Sequence, residues 1–200
     1  MKSTLDCNRS FTYADYLEWP EDERWELIEG QAFDMTPAPS PQHQQMLVEL
    51  ARQIANFLVG RACVVYVAPF DVRLPEGDED DLRIKTVVQP DIAVICNRSK
   101  IDARGSRGAP DFVVEIISPS SASKDQITKT ALYEKKGVKE YWIIRPSDNT
   151  LIIRLLGENG QYGAPITRAG RGDQEVATLP GLVVDLDAVF GVAAWMQTDG

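Results

Sequence analysis

Between residues 40 and 60, apolar side chains fall at Met46, Leu47, Leu50, Ile54, Phe57 and Leu58, the recurrence of one helical face. Ser40 followed by Pro41 supplies an N-cap and a first-turn proline, and Gly60 a stop, so this stretch predicts the long core helix. Ser10-Phe11-Thr12 ahead of Tyr13–Leu17 predicts a short helix with a hydroxyl cap, ending near Pro20. Arg24–Gln31 and Ala32–Met35 read as two strands meeting around Gly30, a hairpin. Cys63–Ala68 and Asp71–Leu74 are short strand candidates. The unbroken apolar runs Val87–Cys96 and Phe112–Ile117 have the length and composition of strands buried on both faces. Between those two runs lies a loop containing Gly and Arg. Ser120 and Ser121 are placed to cap a helix from about Ala122 to Lys136, with Gly137 as its left-handed terminator. Tyr141–Ile144 and Leu151–Leu156 predict strands around the turn Pro146-Ser147-Asp148-Asn149. A strand through Leu182-Val183-Val184 and a short helix near Leu186–Phe190 close the pattern.

These elements alternate as in an α/β protein, and 200 residues at 44% hydrophobic content suit one domain spanning 1–200. No apolar run approaches the roughly 20 residues of a membrane helix, and the N-terminus lacks a basic-then-apolar signal region, so a cytosolic protein is expected. Cys7, Cys63 and Cys96 are odd in number, widely separated and without CxxC spacing. They read as reduced thiols, with neither a disulfide framework nor a zinc cluster.

A net charge of −9 argues against a polyanionic partner, but the total conceals an asymmetry. Residues 97–145 carry ten Lys or Arg against six Asp or Glu, and an anion would dock there. The acidic run Glu76-Gly77-Asp78-Glu79-Asp80-Asp81 reads as a solvated loop rather than a metal site.

Glu115 changes the picture most, because it interrupts Phe112-Val113-Val114-Glu115-Ile116-Ile117. An unpaired carboxylate inside such a strand costs several kcal/mol, so a cation must compensate it. A structural ion pair is one answer and a metal another. Asp91, heading Ile92-Ala93-Val94-Ile95, can converge with it on a hard divalent cation, with water and a phosphate oxygen completing the shell. That arrangement serves phosphoryl chemistry. On the following helix Asp125, Lys129 and Tyr133 recur every four residues on one face. Lys129 could there orient a water or stabilise departing charge, and Lys124 competes for the role.

Gln89-Pro90-Asp91-Ile92-Ala93-Val94-Ile95, then Gly108–Ser120, then Asp125, Lys129, Tyr133 and Gly137-Val138-Lys139-Glu140-Tyr141-Trp142 together resemble the Uma-two family of restriction-endonuclease-like proteins, within the PD-(D/E)XK nuclease superfamily. Trp25–Gly30, Ser40–Gln44 and Leu179–Leu182 extend the resemblance over about residues 10–192. It implies a restriction-endonuclease-like mixed central sheet flanked by helices, with Asp91 and Glu115 as the two acids of the site. It also implies an Mg²⁺- or Mn²⁺-dependent endonuclease acting on nucleic acid, DNA before RNA, and working as a homodimer. Asp111 is the rival first acid, but it shares a strand with Glu115. Ile117 stands where the superfamily places its lysine, and Lys129 matches the lysine that substitutes for it in the family. Glu26 and His43, the only histidine, match family positions and are further candidates for a ligand or proton carrier; Ser118 could position a phosphate oxygen. Two other readings stand beside this one: a nuclease-like domain that binds nucleic acid or a protein without cutting, and a metal hydrolase acting on a small phosphorylated compound.

Overall fold

A computed structural model describes residues 9–20, 23–35, 39–117 and 124–191, with the side chains of 124–126 outside the description. In chain order the elements are α1 (Tyr13–Tyr16), β1 (Trp25–Ile28), β2 (Gln31–Asp34), α2 (Pro41–Leu58), β3 (Val64–Val67), β4 (Val72–Arg73), β5 (Val87–Val88) and β6 (Ile92–Ile95). There follow β7 (Ile101–Asp102), β8 (Gly105–Arg107), β9 (Phe112–Ile116), α3 (Lys124–Lys136), β10 (Glu140–Arg145) and β11 (Thr150–Leu155). The last are β12 (Ile166–Ala169), β13 (Asp173–Glu175), β14 (Val183–Asp185) and α4 (Leu186–Gly191). The chain divides into two compact units, the first of residues 1–38, 69–89 and 99–109, the second of 39–68, 90–98 and 110–200.

The first unit is built on a sheet in the order β2-β1-β5-β4-β8-β7. Glu29 and Gly30, with φ of 50° and 82°, turn β1 into β2, the left-handed pair that a tight hairpin requires. The buried guanidinium of Arg73 organises its far end. It donates to Asp81, to Asp102 Oδ2 at 2.5 Å and to the Ser106 carbonyl, and it lies over the Tyr13 ring. Asp81 also accepts from Arg107 at 2.8 Å. The acidic run is therefore not wholly solvated: its last member neutralises a fully buried cation. Gln89 ends this unit's second segment under a dense set of hydrogen bonds. Its N–H donates to Glu26 Oε1 at 2.8 Å, and its side-chain amide to Tyr16 Oη and Asp71 Oδ1. Burial, reinforced by the Asp71 carboxylate, pushes the Tyr16 phenol well above its ordinary range.

The second unit carries a mixed sheet in the order β12-β11-β10-β9-β6-β3. Only β9 and β10 run parallel, and α3 makes the crossover that a parallel pair needs. α2 covers one face: Met46, Leu47, Leu50 and Ile54 pack with Ile92, Val94, Phe112, Val114, Ile116 and Trp142. Each such side chain, fully buried, contributes roughly 1.5–3 kcal/mol. The alternate residues of β9 and β10 turn to the opposite face, where the Tyr133 ring of α3 meets Tyr141 edge-on at 4.9 Å. Ser40 caps α2 through the His43 N–H. α3 ends as expected, Gly137 at φ 82° with the Val138 N–H returning to the Tyr133 carbonyl. The expected caps Ser120 and Ser121 lie outside the described residues.

Three further expectations are corrected. Val87–Cys96 is not one strand: it splits into β5 and β6 at Gln89-Pro90-Asp91, each half in a different sheet, because proline has no N–H to continue a ladder. The connection before β9 is not a bare loop but contains the hairpin β7–β8. Cys63 and Cys96 are not free thiols; they form a disulfide. The antiparallel register Val64↔Ile95 of β3 and β6 brings them face to face one step beyond the ladder, a juxtaposition sequence spacing cannot reveal. Its reduction should lower stability by about 3–4 kcal/mol, the loop-closure contribution for its chain separation. Urea titrations with and without a phosphine reductant, using Cys63→Ser as a reference, check this; coincident curves would refute it.

Candidate active site

The pair β6/β9 places the two acids. Its last register pair is Ile92↔Val114, so one step further Asp91 falls opposite Glu115. Pro90 and the loss of the ladder at that point free the Asp91 side chain to turn back, and its Oδ2 accepts the Ile116 N–H at 2.7 Å. A single peptide unit thus links the aspartate's hydrogen bond to Glu115. The same Oδ2 lies 3.1 Å from His43 Nε2, presented by the first turn of α2. The ring's other nitrogen, Nδ1, is buried and has no hydrogen-bond partner among the described residues.

Glu115 is buried in β9 and is met from α3. Lys129 Nζ donates to its Oε1 at 2.8 Å, and Tyr133 Oη donates to the same oxygen at 2.7 Å. Lys129 is 8% exposed and Tyr133 is fully buried, so an aliphatic stem and a phenol ring carry both donors through an apolar layer. Among the described residues, Lys129 is a cation that compensates the buried acid. Asp111, the rival first acid, stands at the other end of β9, accepting the Cys96 N–H at 2.8 Å and Lys139 Nζ at 2.6 Å.

The structure therefore brings Asp91 and His43 together, and Glu115 and Lys129 together, with the Ile116 amide between the two groups. Glu26 belongs to the first unit, where it is buried and holds the Gln89 N–H. The Lys124 and Asp125 side chains and Ser118 lie outside the described residues. Tyr133 was not singled out as a site residue from the sequence, although its spacing of four from Lys129 was the available signal.

The donor set suits a hard divalent cation to the extent of two carboxylates on neighbouring strands, leaving water and phosphate oxygens to complete the shell. Among the described residues no group of three or more His, Cys, Asp and Glu side chains is arranged to hold a metal. The basic segment 97–145 is divided between the two units, and several of its cations are engaged internally: Arg107 with Asp81, Lys129 with Glu115, Lys139 with Asp111. Among the described residues no helix is long and apolar enough to cross a membrane.

Comparisons with known proteins converge. The sequence pattern of Uma2, a family described as "Putative restriction endonuclease", matches residues 13–187. A Synechocystis sp. protein, slr1290, described as uncharacterized, is 25% identical over 183 residues, covering 88% of this chain and 89% of that one. A crystal structure from Anabaena variabilis, titled a putative nuclease belonging to DUF820, superposes with a TM-score of 0.70 at 20% identity. It covers 90% of this chain and 98% of that chain. The α/β architecture, with mixed sheets flanked by helices, is the one this likeness shares.

Proposed function

The chain belongs to the Uma2 family, and on that footing we propose that it is a metal-dependent nuclease hydrolysing phosphodiester bonds of nucleic acid, DNA in the first place. The observation that carries this reading is the placement of Asp91 and Glu115 across one strand pair, with Lys129 reaching Glu115 from the next helix. Mg²⁺ or Mn²⁺ bound there would polarise the phosphate and lower the pKa of an attacking water. Asp91 and Glu115 would hold the ion. His43 keeps the Asp91 carboxylate turned toward Ile116 and is a candidate ligand or proton carrier beside the ion. Lys129 stabilises negative charge on the phosphate. Glu26 anchors the backbone of Gln89, two residues before Asp91. A homodimer would present two such sites to two strands, and sedimentation equilibrium tests it: a monomer at high concentration would reject it.

A second reading, a nuclease-like domain that binds nucleic acid or a protein partner without cutting, is favoured by Ile117 in the place of the signature lysine, and for a protein partner also by the net charge of −9. Incubation with plasmid, single-stranded DNA and RNA under Mn²⁺ separates the two. Cleavage by the wild type that Lys129→Ala abolishes is expected; retention of nucleic acid without cleavage would transfer support to the binding reading. A small phosphodiester included as a further substrate tests for a hydrolase of phosphorylated metabolites, which cleavage of that compound alone would favour.

A further inference from the structure

We propose that Lys129 and the divalent cation are alternative counter-ions of Glu115, exchanged at a carboxylate that Tyr133 holds in place. This rests on the reading of Asp91 and Glu115 as the metal's ligands. Two donors, one helical turn apart on α3, meet a single oxygen, Glu115 Oε1. They differ in charge. The Lys129 ammonium already supplies the buried acid with a counter-charge before any metal arrives. A divalent ion bound to the same carboxylate stands a few ångströms from that ammonium, and two cations at such range in a poorly screened site repel strongly. The lysine must give way, and its four-carbon stem lets the charge move while the helix stays fixed.

The phenol has no such conflict, because it is a neutral donor and a carboxylate oxygen accepts from it with or without a metal nearby. Its ring is immobilised by full burial and by the edge-on contact with Tyr141 at 4.9 Å. Tyr133 is thus a positioning residue, the tether that keeps Glu115 aimed while its counter-ion changes. The ammonium that leaves Glu115 becomes available to a phosphate only once metal has bound. That ordering gives the lysine carried on α3 a use that a lysine at position 117, two residues along the strand from Glu115, would not need.

Calorimetric titration of the unloaded protein with Mn²⁺ tests the exchange without recourse to activity. Lys129→Gln should bind Mn²⁺ at least about tenfold more tightly than the wild type, because the competing charge is gone, and Tyr133→Phe about tenfold more weakly, the effect of losing a ligand's outer partner. In the wild type, acetylation of Lys129 followed by mass spectrometry should be slow without metal and accelerate at least about tenfold on adding Mg²⁺; this arm needs no variant to fold. An unchanged acetylation rate, or Lys129→Gln binding no more tightly, overturns the exchange. Equal affinity of Tyr133→Phe and wild type overturns the tether. Should the wild type bind no Mn²⁺ at all, or Glu115→Gln bind it as well as the wild type does, the assignment of the ligands itself is wrong.

Discussion

Glu115→Gln should reduce cleavage by at least about a thousandfold, the several kcal/mol that a metal contributes to stabilising transition-state charge. The substitution preserves volume and leaves one carbonyl oxygen to accept from Tyr133, so packing in β9 survives. It removes the negative charge, which costs the site a ligand and takes the Glu115 carboxylate away from the Lys129 ammonium, 8% exposed. Breaking a buried pair from one side costs about 3–5 kcal/mol, so the variant should also melt well below the wild type. The double variant Glu115→Gln/Lys129→Met removes both charges and should recover much of that stability while remaining inactive. Stability lost in Glu115→Gln and regained in the double variant, with activity absent from both, is the signature; a Glu115→Gln protein that cleaves normally would refute the site.

The second large effect belongs to the first unit. Arg73 is fully buried, whereas its partners Asp81 and Asp102 are 32% and 47% exposed at the side chain. Water can reach the carboxylates but not the guanidinium. Removing the acids is therefore the damaging direction: Asp81→Asn/Asp102→Asn should cost about 3–5 kcal/mol, and Arg73→Met distinctly less, because no buried charge remains. Denaturant titration ranks them, and the reverse order would contradict this account. Acid acts in the same direction through Asp102. The hydrogen bond from Arg73 holds the Asp102 carboxyl below its ordinary range. A depressed folded pKa contributes stability that is fully present above the unfolded value near 4 and is lost as pH falls through the folded one. The wild type should accordingly weaken below about pH 4, and a protein lacking Asp102 should show less of that loss.

How far the chain could be read in advance follows from what each element depends on. α2 was legible because its apolar face, Ser40 cap and Pro41 are local signals that agree. β9 was legible because four apolar residues surround one acid; Lys129 was reached from its face of the following helix and from the family resemblance, as a group acting on water or departing charge, and its pairing with Glu115 was not foreseen. The break at Pro90 was masked by the apolar continuity of Val87–Cys96, although the missing N–H of proline was there to be read. The Cys63–Cys96 pairing depends on the register of β3 against β6, a tertiary fact with no trace in spacing. β12 escaped because all four of its residues are exposed, leaving no alternation to detect. Arg73 and Asp81 could not be matched from sequence, since a charge run looks the same whether or not one of its members reaches a buried cation.

The β6/β9 pair has one more property. Each strand opens with Pro-Asp, and each aspartate caps the far end of its neighbour, Asp91 on the Ile116 amide and Asp111 on that of Cys96. Rotating the pair by half a turn exchanges the two caps, and it sends Glu115 to the position of Ile95. The backbone is reversible, but the chemistry points one way, because a glutamate follows one cap and an isoleucine the other. Placing an acid at position 95 would give the molecule a second pole, with Lys139 already beside it.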